Sequence, residues 1–490
     1  MKLVIAVTLA AVAVSGLAVV ASCASRPVPL RSTVAPLLVV DARHPEGAGV
    51  SPLLFGLGVD LPAATYVRPG DTRCLALYGA GTTVTLVRVG GAKADDYDWR
   101  TDTYAPLRPG RAIAASAGCF TPPHGPGATV LRVLDRVRAL KATAVVVLGG
   151  EVDDPQAAAG LVRLVVQRYG LGFARRIYWE IGNAPAAWQH FGVPLGARQR
   201  DEHVTCSPDQ YAAVVTSYAA AIAAALGGAD PQRHWPLIVA DEWIANATDQ
   251  SWTGVVTAVD TQYYPFNSPA LQPATAAEVA QSVAGLGRAP DTALDQRLFG
   301  LQANLGQYNG GADLGLFMGA WNVDANALPF NPANPLYGSS AEAVFVARLL
   351  MHLARAGVAM AAWAPPLYTS AQAPFTLSGE PTPGYRVLAA LRVLAGAHLL
   401  TVRGRPGIDG LAARLADGRI AVVLANAAGT GAVTLHVRVS GGATRPVTAT
   451  VQSFAPAAPA GTTTRRTLSL ADARVRVPAL GVVLMTAPAN

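Results

Sequence analysis

The segment "RIYWEIGNAPAAW", residues 176–188, ends an apolar, aromatic run on Asn183 and turns into a loop. Other apolar runs of the chain also end on groups that hydrogen-bond or stack. Arg88 closes one, with "DDYDW" just after it; Gln262, Tyr263 and Tyr264 close another, and Trp321-Asn322 and Trp363 close two more. Amides and guanidinium groups suit hydroxyls, and aromatic faces suit the flat C–H faces of a sugar ring. Such a set, gathered at one mouth, fits a carbohydrate. Trp179, Tyr264, Trp321 and Trp363 are the expected stacking residues, and Arg88, Asn183, Gln262 and Asn322 the expected hydrogen-bonding ones. Carboxylates able to act as acid, base or nucleophile stand nearby: Asp241 and Glu242 at one run's end, Asp260 inside another, and Asp96, with Asp95 and Asp98, after Arg88. Glu180, within its own run, reads as structural.

A regular architecture is needed to bring those ends together. Between residues 50 and 395, Val- and Ile-rich runs at 53–61, 83–91, 143–150, 176–183, 236–243, 258–266, 313–322 and 358–365 alternate with helical stretches such as 155–170 and 341–357. Strands apolar on both faces and separated by helices predict a parallel sheet. Eight of them predict a (β/α)8 barrel of the TIM type, with its site at the C-terminal ends of the strands. From 396 to 490 the runs are strand-length, turn-bounded and without helical period, which predicts an antiparallel β-sandwich. A strand within 36–49 is expected to join it.

The N-terminus reads as an address rather than as fold. One charge, an apolar run from 3 to 21 and "VASC" ending at Cys23 make an export signal (1–23) with a lipobox-like end, followed by a Pro/Ser tether (24–35). Lipidation at Cys23 is the leading expectation, with plain secretion or an uncleaved anchor as alternatives. Contact with a membrane is expected only through that anchor or signal. In an oxidising compartment two of Cys74, Cys119 and Cys206 are expected to pair, Cys74–Cys119 first among the choices.

Half of the 490 residues are hydrophobic and 14% are charged, enough for a large core and unlike a disordered chain. The net charge of +7 comes from dispersed arginines, the lysines being Lys2, Lys93 and Lys141 alone. With no basic run interleaved with aromatics, nucleic acid is not an expected partner. There is no phosphate loop, no complete dinucleotide fingerprint, no Gly-x-Ser-x-Gly elbow and no zinc spacing, so no cofactor and no metal are expected.

Three segments carry a resemblance. "LVRVGGAKADDYDW", "YWEIGNAPAAW" and "GAWNVD" are similar to the second-, fourth- and seventh-strand segments of retaining glycoside hydrolases with a (β/α)8 barrel and a trailing β-sandwich, the β-xylosidase/iduronidase, arabinofuranosidase and heparanase-like families. "DTQYYPF" is a weaker echo of their sixth strand. The resemblance implies an oligo- or polysaccharide ligand, with Asn183 beside the reacting carbon. It also implies a general acid/base at position 184 and a nucleophile at 320, and the chain has Ala184 and Ala320. Gln262 replaces the usual histidine. Retaining hydrolysis needs two carboxylates about 5–5.5 Å apart, and a methyl group can neither protonate nor attack. The expectation is therefore a carbohydrate-recognising shell of such an enzyme. The alternatives are a hydrolase using displaced carboxylates, a structural scaffold for envelope polysaccharide assembly, and a hydrolase stripped of both groups by design.

Overall fold

The computed structural model describes residues 37–59, 84–91, 94–100, 103–104, 130–193, 204–228, 236–240, 255–265, 294–308, 314–322, 338–363, 381–404, 408–428, 431–443 and 445–489. All of these lie in the compact unit that begins at Pro36.

Eight short strands close a parallel barrel: β2 (Gly56–Val59), β3 (Leu86–Val89), β6 (Thr143–Leu148), β7 (Tyr178–Ile181), β8 (Leu237–Ala240), β9 (Ala258–Tyr263), β10 (Gly315–Trp321) and β11 (Met360–Trp363). Both faces of these strands are buried, which is why their sequences are continuous in Val, Leu, Ile and Ala rather than alternating. Period two still sorts the two faces. Leu86, Val145, Ile238, Ala258, Phe317, Met360 and Ala362 fill the barrel interior. Two residues further along their strands, Leu86 gives way to Arg88 and Ala258 to Asp260, so the interior turns polar toward the C-terminal ends. A two-residue hairpin, β4 (Tyr97–Asp98) with β5 (Thr103–Tyr104), follows β3.

Around the barrel lie α1 (Val130–Leu140), α2 (Pro155–Tyr169), α3 (Leu171–Ala174), α4 (Pro208–Ala225), α5 (Leu294–Tyr308), α6 (Ser340–Arg355) and α7 (Pro383–Leu391). Their starts are written locally. Asp154 caps α2 by accepting the Ala157 N–H at 2.8 Å, and Ser207 and Gln210 close a capping box on α4. Proline occupies the first turn of both, where its missing N–H costs nothing. Among the described residues, no helix is long and apolar enough to cross a membrane.

The C-terminal β-rich part is one mostly antiparallel sheet, ordered β17-β16-β19-β14-β13-β12-β1-β15-β18. Its strands are β1 (Leu37–Gly49), β12 (His398–Gly404), β13 (Asp409–Arg414), β14 (Ile420–Asn426), β15 (Val433–Ser440), β16 (Val447–Ala455), β17 (Ala458–Leu468), β18 (Ala473–Val477) and β19 (Gly481–Ala487). β1 pairs antiparallel with β12 and parallel with β15, the one parallel pairing in the sheet's described register. The sheet curls around its own core of Leu38, Val40, Val422, Leu424, Val437 and Val483. The outer face of β13, β14 and β19 joins the barrel's core instead, through Leu411, Val423 and Leu484 beside α6. Arg348 of α6 is ion-paired to Asp409, and Arg355 donates to the Gly410 carbonyl at 2.5 Å, so the seam between the two parts is also hydrogen-bonded.

Candidate functional site

Arg88 leaves β3 into the polar layer of the barrel and is 3% exposed. Its Nε donates to Oε2 of Glu180 at 2.7 Å and its Nη2 to Oε1 of the same carboxylate, a two-pronged pair across the barrel from β3 to β7. Nη2 also donates to Oδ1 of Asn183 at 2.9 Å and lies 3.8 Å from Oδ2 of Asp260. Burial by itself lowers the guanidinium pKa of Arg88, but Glu180 and then Asp260 outweigh it and hold that pKa above its ordinary value. Gln262 donates from Nε2 to the same Asn183 Oδ1 at 3.2 Å. One amide oxygen thus accepts from β3 and from β9, which fixes the rotamer of Asn183 at the mouth. Asp260 accepts the Gly319 N–H at 2.7 Å, and a Cβ at Gly319 would lie 2.0 Å from its Oδ1. Gly319 is therefore required for the carboxylate to approach β10. A lone glycine inside a strand was the available signal for it.

The loop after β7 is held from beneath. Asp95 accepts the N–H groups of Gly150 and Glu151 at 2.7 and 2.8 Å, and Glu151 Oε1 accepts those of Gln189 and His190, both at 2.8 Å. Asp95, expected from the sequence as one of the nearby carboxylates, and Glu151, which sequence reasoning did not place in the site, together fasten the loops after β3, β6 and β7. Trp188 donates from Nε1 to the Asn183 carbonyl at 3.1 Å and covers Gly182, whose φ of 73° and close ring contact admit no Cβ. Ala184 comes next in the left-handed region, at φ 45° and ψ 63°, starting the 3-10 turn Pro185–Ala187.

Ala320 pairs in register with Gln262, and Trp321 with Tyr263. A bulge between Met318 and Ala320 re-aims the end of β10. Ala320 thereby stands level with Gln262, and Trp321 turns to the helix layer, where it stacks on Trp363 at 5.3 Å and 14° and tilts against Phe345 of α6. Asn322 is 1% exposed, its N–H donating to the Tyr263 carbonyl at 3.3 Å. Tyr264, half-buried just past β9, adds to the field that keeps Arg88 charged.

The structure brings Arg88, Asn183, Gln262 and Asp260 into one hydrogen-bonded and ion-paired group, with Ala320 alongside Gln262. It corrects the expectation for three tryptophans. Trp179, Trp321 and Trp363 are 0% exposed and belong to the apolar core around the barrel. A ring with no free face is no sugar platform; Trp179 points away from the interior because Glu180, its neighbour, points in. Of the displaced carboxylates, Asp260 is committed to Arg88 and Gly319, while Asp241 and Glu242 lie outside the described residues. Asp96 ends the 3-10 turn Ala94–Asp96, and nothing is described of its side chain. Cys206 is free and buried, its thiol pKa pushed up to about 12 by burial and then by Asp153; Cys23, Cys74 and Cys119 lie outside the described residues.

No family model matches the chain, and no curated protein matches it. Solved structures do. An arabinofuranosidase of family GH51 from Xanthomonas axonopodis pv. citri is 17% identical at a TM-score of 0.67, over 92% of this chain and 100% of that one. The α-L-arabinofuranosidase of Thermotoga maritima in its arabinose complex is 14% identical at 0.68, over 92% and 99%. A family GH44 xyloglucanase of Paenibacillus polymyxa is 14% identical at 0.63, over 93% and 100%. Identity this low speaks to architecture alone: the chain shares with these structures an eight-stranded parallel barrel followed by a C-terminal β-rich domain.

Proposed function

We propose that this chain is an exported carbohydrate-recognising protein on a glycoside-hydrolase scaffold, with retaining catalysis lost. The observation that carries this reading is the pair Ala184 and Ala320, methyl groups at the two positions where the resembling families hold their acid/base and nucleophile. Among the described residues, the carboxylates that enter the barrel, Glu180 and Asp260, are tied to Arg88. An ion-paired carboxylate is both a poor proton donor and a poor nucleophile. Recognition needs neither, and Asn183, Gln262 and Tyr264 remain as the residues proposed to meet sugar hydroxyls, with the buried Arg88 and Asn322 behind them. Trp179, Trp321 and Trp363 back this floor from behind rather than touching the ligand.

The ligand class is an oligo- or polysaccharide. Arabinose and xyloglucan, which two structural neighbours hold, are the first to test. The export signal with Cys23 supports a lipoprotein of the cell envelope, and the fold divides most simply into a barrel over 50–395 and a sandwich over 396–490 that borrows the strand in 36–49.

The experiment is chromophore release from a panel of aryl glycosides and uronides, for the natural chain beside Ala184→Glu/Ala320→Glu. Turnover by the double variant alone is the expected result. Turnover by the natural chain overturns the reading and directs attention to Asp241, Glu242 or Asp96.

A further inference from the structure

The β-rich part presents two different outsides. β13, β14 and β19 face the barrel, as does Leu399 at the start of β12, whereas β1, β15 and β18, at the other end of the strand order, put no residue into the barrel's core. Along β15, β18 and the first part of β1 the burial alternates, with Leu38, Val40, Val437 and Val475 inward and Val39, Arg438, Arg474 and Arg476 outward; Arg403 near the end of β12 is exposed as well. Register then assembles the outward side chains into a field. Val39 pairs with Arg403 on one flank and with Arg438 on the other, His436 pairs with Arg474, and Thr434 with Arg476. Four exposed arginines so share one sheet face. Asp472, in the turn before β18, sits among them hydrogen-bonded to His436, a bond that together with Arg438 and Arg474 holds its carboxyl below the ordinary value. At the far end of β1, Asp41 is taken up by His44 and the Arg43 N–H, and Glu46 lies past the β1 bulge.

Leu37 also belongs to this face, in register with His436, and at 36% exposed it is one of the large apolar side chains left in solvent. It opens β1, and Cys23 precedes it by a tether short enough to reach no further than about 50 Å when fully extended.

We infer that the β12-β1-β15-β18 face is a membrane-docking surface that lies against an anionic phospholipid bilayer. The chemistry is complementary: clustered guanidinium groups on a flat face meet lipid phosphates, and an exposed leucine at the entry of the chain meets the headgroup boundary. Docking in this manner leaves the barrel, packed on the opposite layer, directed away from the bilayer. The tether at Cys23 belongs to the reading above; the arginine field does not depend on it.

The test is co-sedimentation of the full chain carrying Cys23→Ser, which removes lipidation, with vesicles of phosphatidylcholine alone or with about one-third phosphatidylglycerol. The readout is the ratio of partition onto anionic over neutral vesicles, to which any apolar N-terminal contribution adds equally. The natural face gives a ratio well above one that collapses when salt rises from about 0.05 to about 0.5 M. Arg438→Glu/Arg474→Glu/Arg476→Glu lowers it roughly tenfold or more. Arg465→Glu/Arg466→Glu, on exposed β17 at the opposite edge of the sheet, leaves it unchanged. If thermal unfolding shows the triple variant to be misfolded, Arg474→Gln/Arg476→Gln takes its place, with a loss of roughly threefold or more. A ratio of one for the natural face, an equal loss in the β17 variant, or tighter binding to a soluble polyuronate than to vesicles overturns the inference; the last would assign the face to a polysaccharide.

Discussion

Arg88 and Glu180 meet inside the barrel with 4% and 1% of their side chains exposed, joined from Nε to Oε2 at 2.7 Å and again through Nη2. Charges this deeply buried depend on each other for their solvation. Glu180→Ala therefore strands a buried guanidinium, and we expect a destabilisation of about 3–5 kcal/mol. Arg88→Met/Glu180→Met removes both charges and recovers much of that loss. Urea unfolding of the two variants beside the natural chain reads the difference; an equal loss in both would mean that the ion pair is not what the barrel interior depends on.

Ala184 holds a left-handed conformation that an L-residue adopts at a cost of about 1–2 kcal/mol. Ala184→Gly removes the Cβ clash but adds freedom to the unfolded chain. The net expectation is a gain of about 0.5–1 kcal/mol, read as a raised urea midpoint at unchanged slope. A loss would show that the methyl group is packed and needed.

Glu342 is fully buried at the start of α6. Oε2 accepts the Gly338 N–H at 2.9 Å, Oε1 has no hydrogen-bond partner among the described residues, and Gly384 of α7 closes over the side chain next to Trp363. Burial pushes its pKa from the ordinary 4.5 up to about 8, the Gly338 bond opposing this. The folded state then holds a proton that the unfolded state has released. Stability falls as pH rises from about 4.5 to about 8, by about 1.4 kcal/mol per unit at most, and is flat on either side. Glu342→Gln removes this slope, so its advantage over the natural chain grows across that window. Unfolding midpoints at pH 5, 6.5 and 8 check it (settings spanning the window); parallel curves would sink the assignment.

Gly319→Ala would set a methyl group 2.0 Å from Asp260 Oδ1. The carboxylate must leave the Gly319 N–H or β10 must shift. Either costs about 1–3 kcal/mol. Because Ala320 is the next residue, the same variant is expected to weaken sugar binding, measured by calorimetry with the ligand that the panel identifies. Unchanged stability would mean that β10 yields freely.

Much of the fold was legible in the chain. Val/Ile runs alternating with capped helices name a parallel α/β barrel, because strands buried on both faces have no polar side to show. Turn-bounded strands after 396 name the β-rich part for the opposite reason. Part of the polar group was legible as strand ends: Arg88 and Gln262 both donate to the amide oxygen of Asn183. What misled was the direction of the aromatics. A short strand with both faces buried gives no amphipathic signal, so nothing in "YWEIGN" says whether Trp179 or Glu180 looks inward.

By itself, then, the sequence determined the number and order of the barrel strands, the alanines at 184 and 320, and the polar character of the strand ends. These depend on residue type and period, which are local. Tertiary structure alone decided the rest. Barrel closure chose Glu180 as the inward residue and gave it Arg88, 92 residues earlier in the chain. The β10 bulge spent one residue of register to turn Trp321 onto Trp363 while Ala320 stayed level with Gln262. Pairing of β1 with β12 and β15 set Arg403 and Arg438 on either side of Val39. Each is a relation between residues far apart in the chain, fixed by which surfaces must leave water together, and no local pattern encodes it.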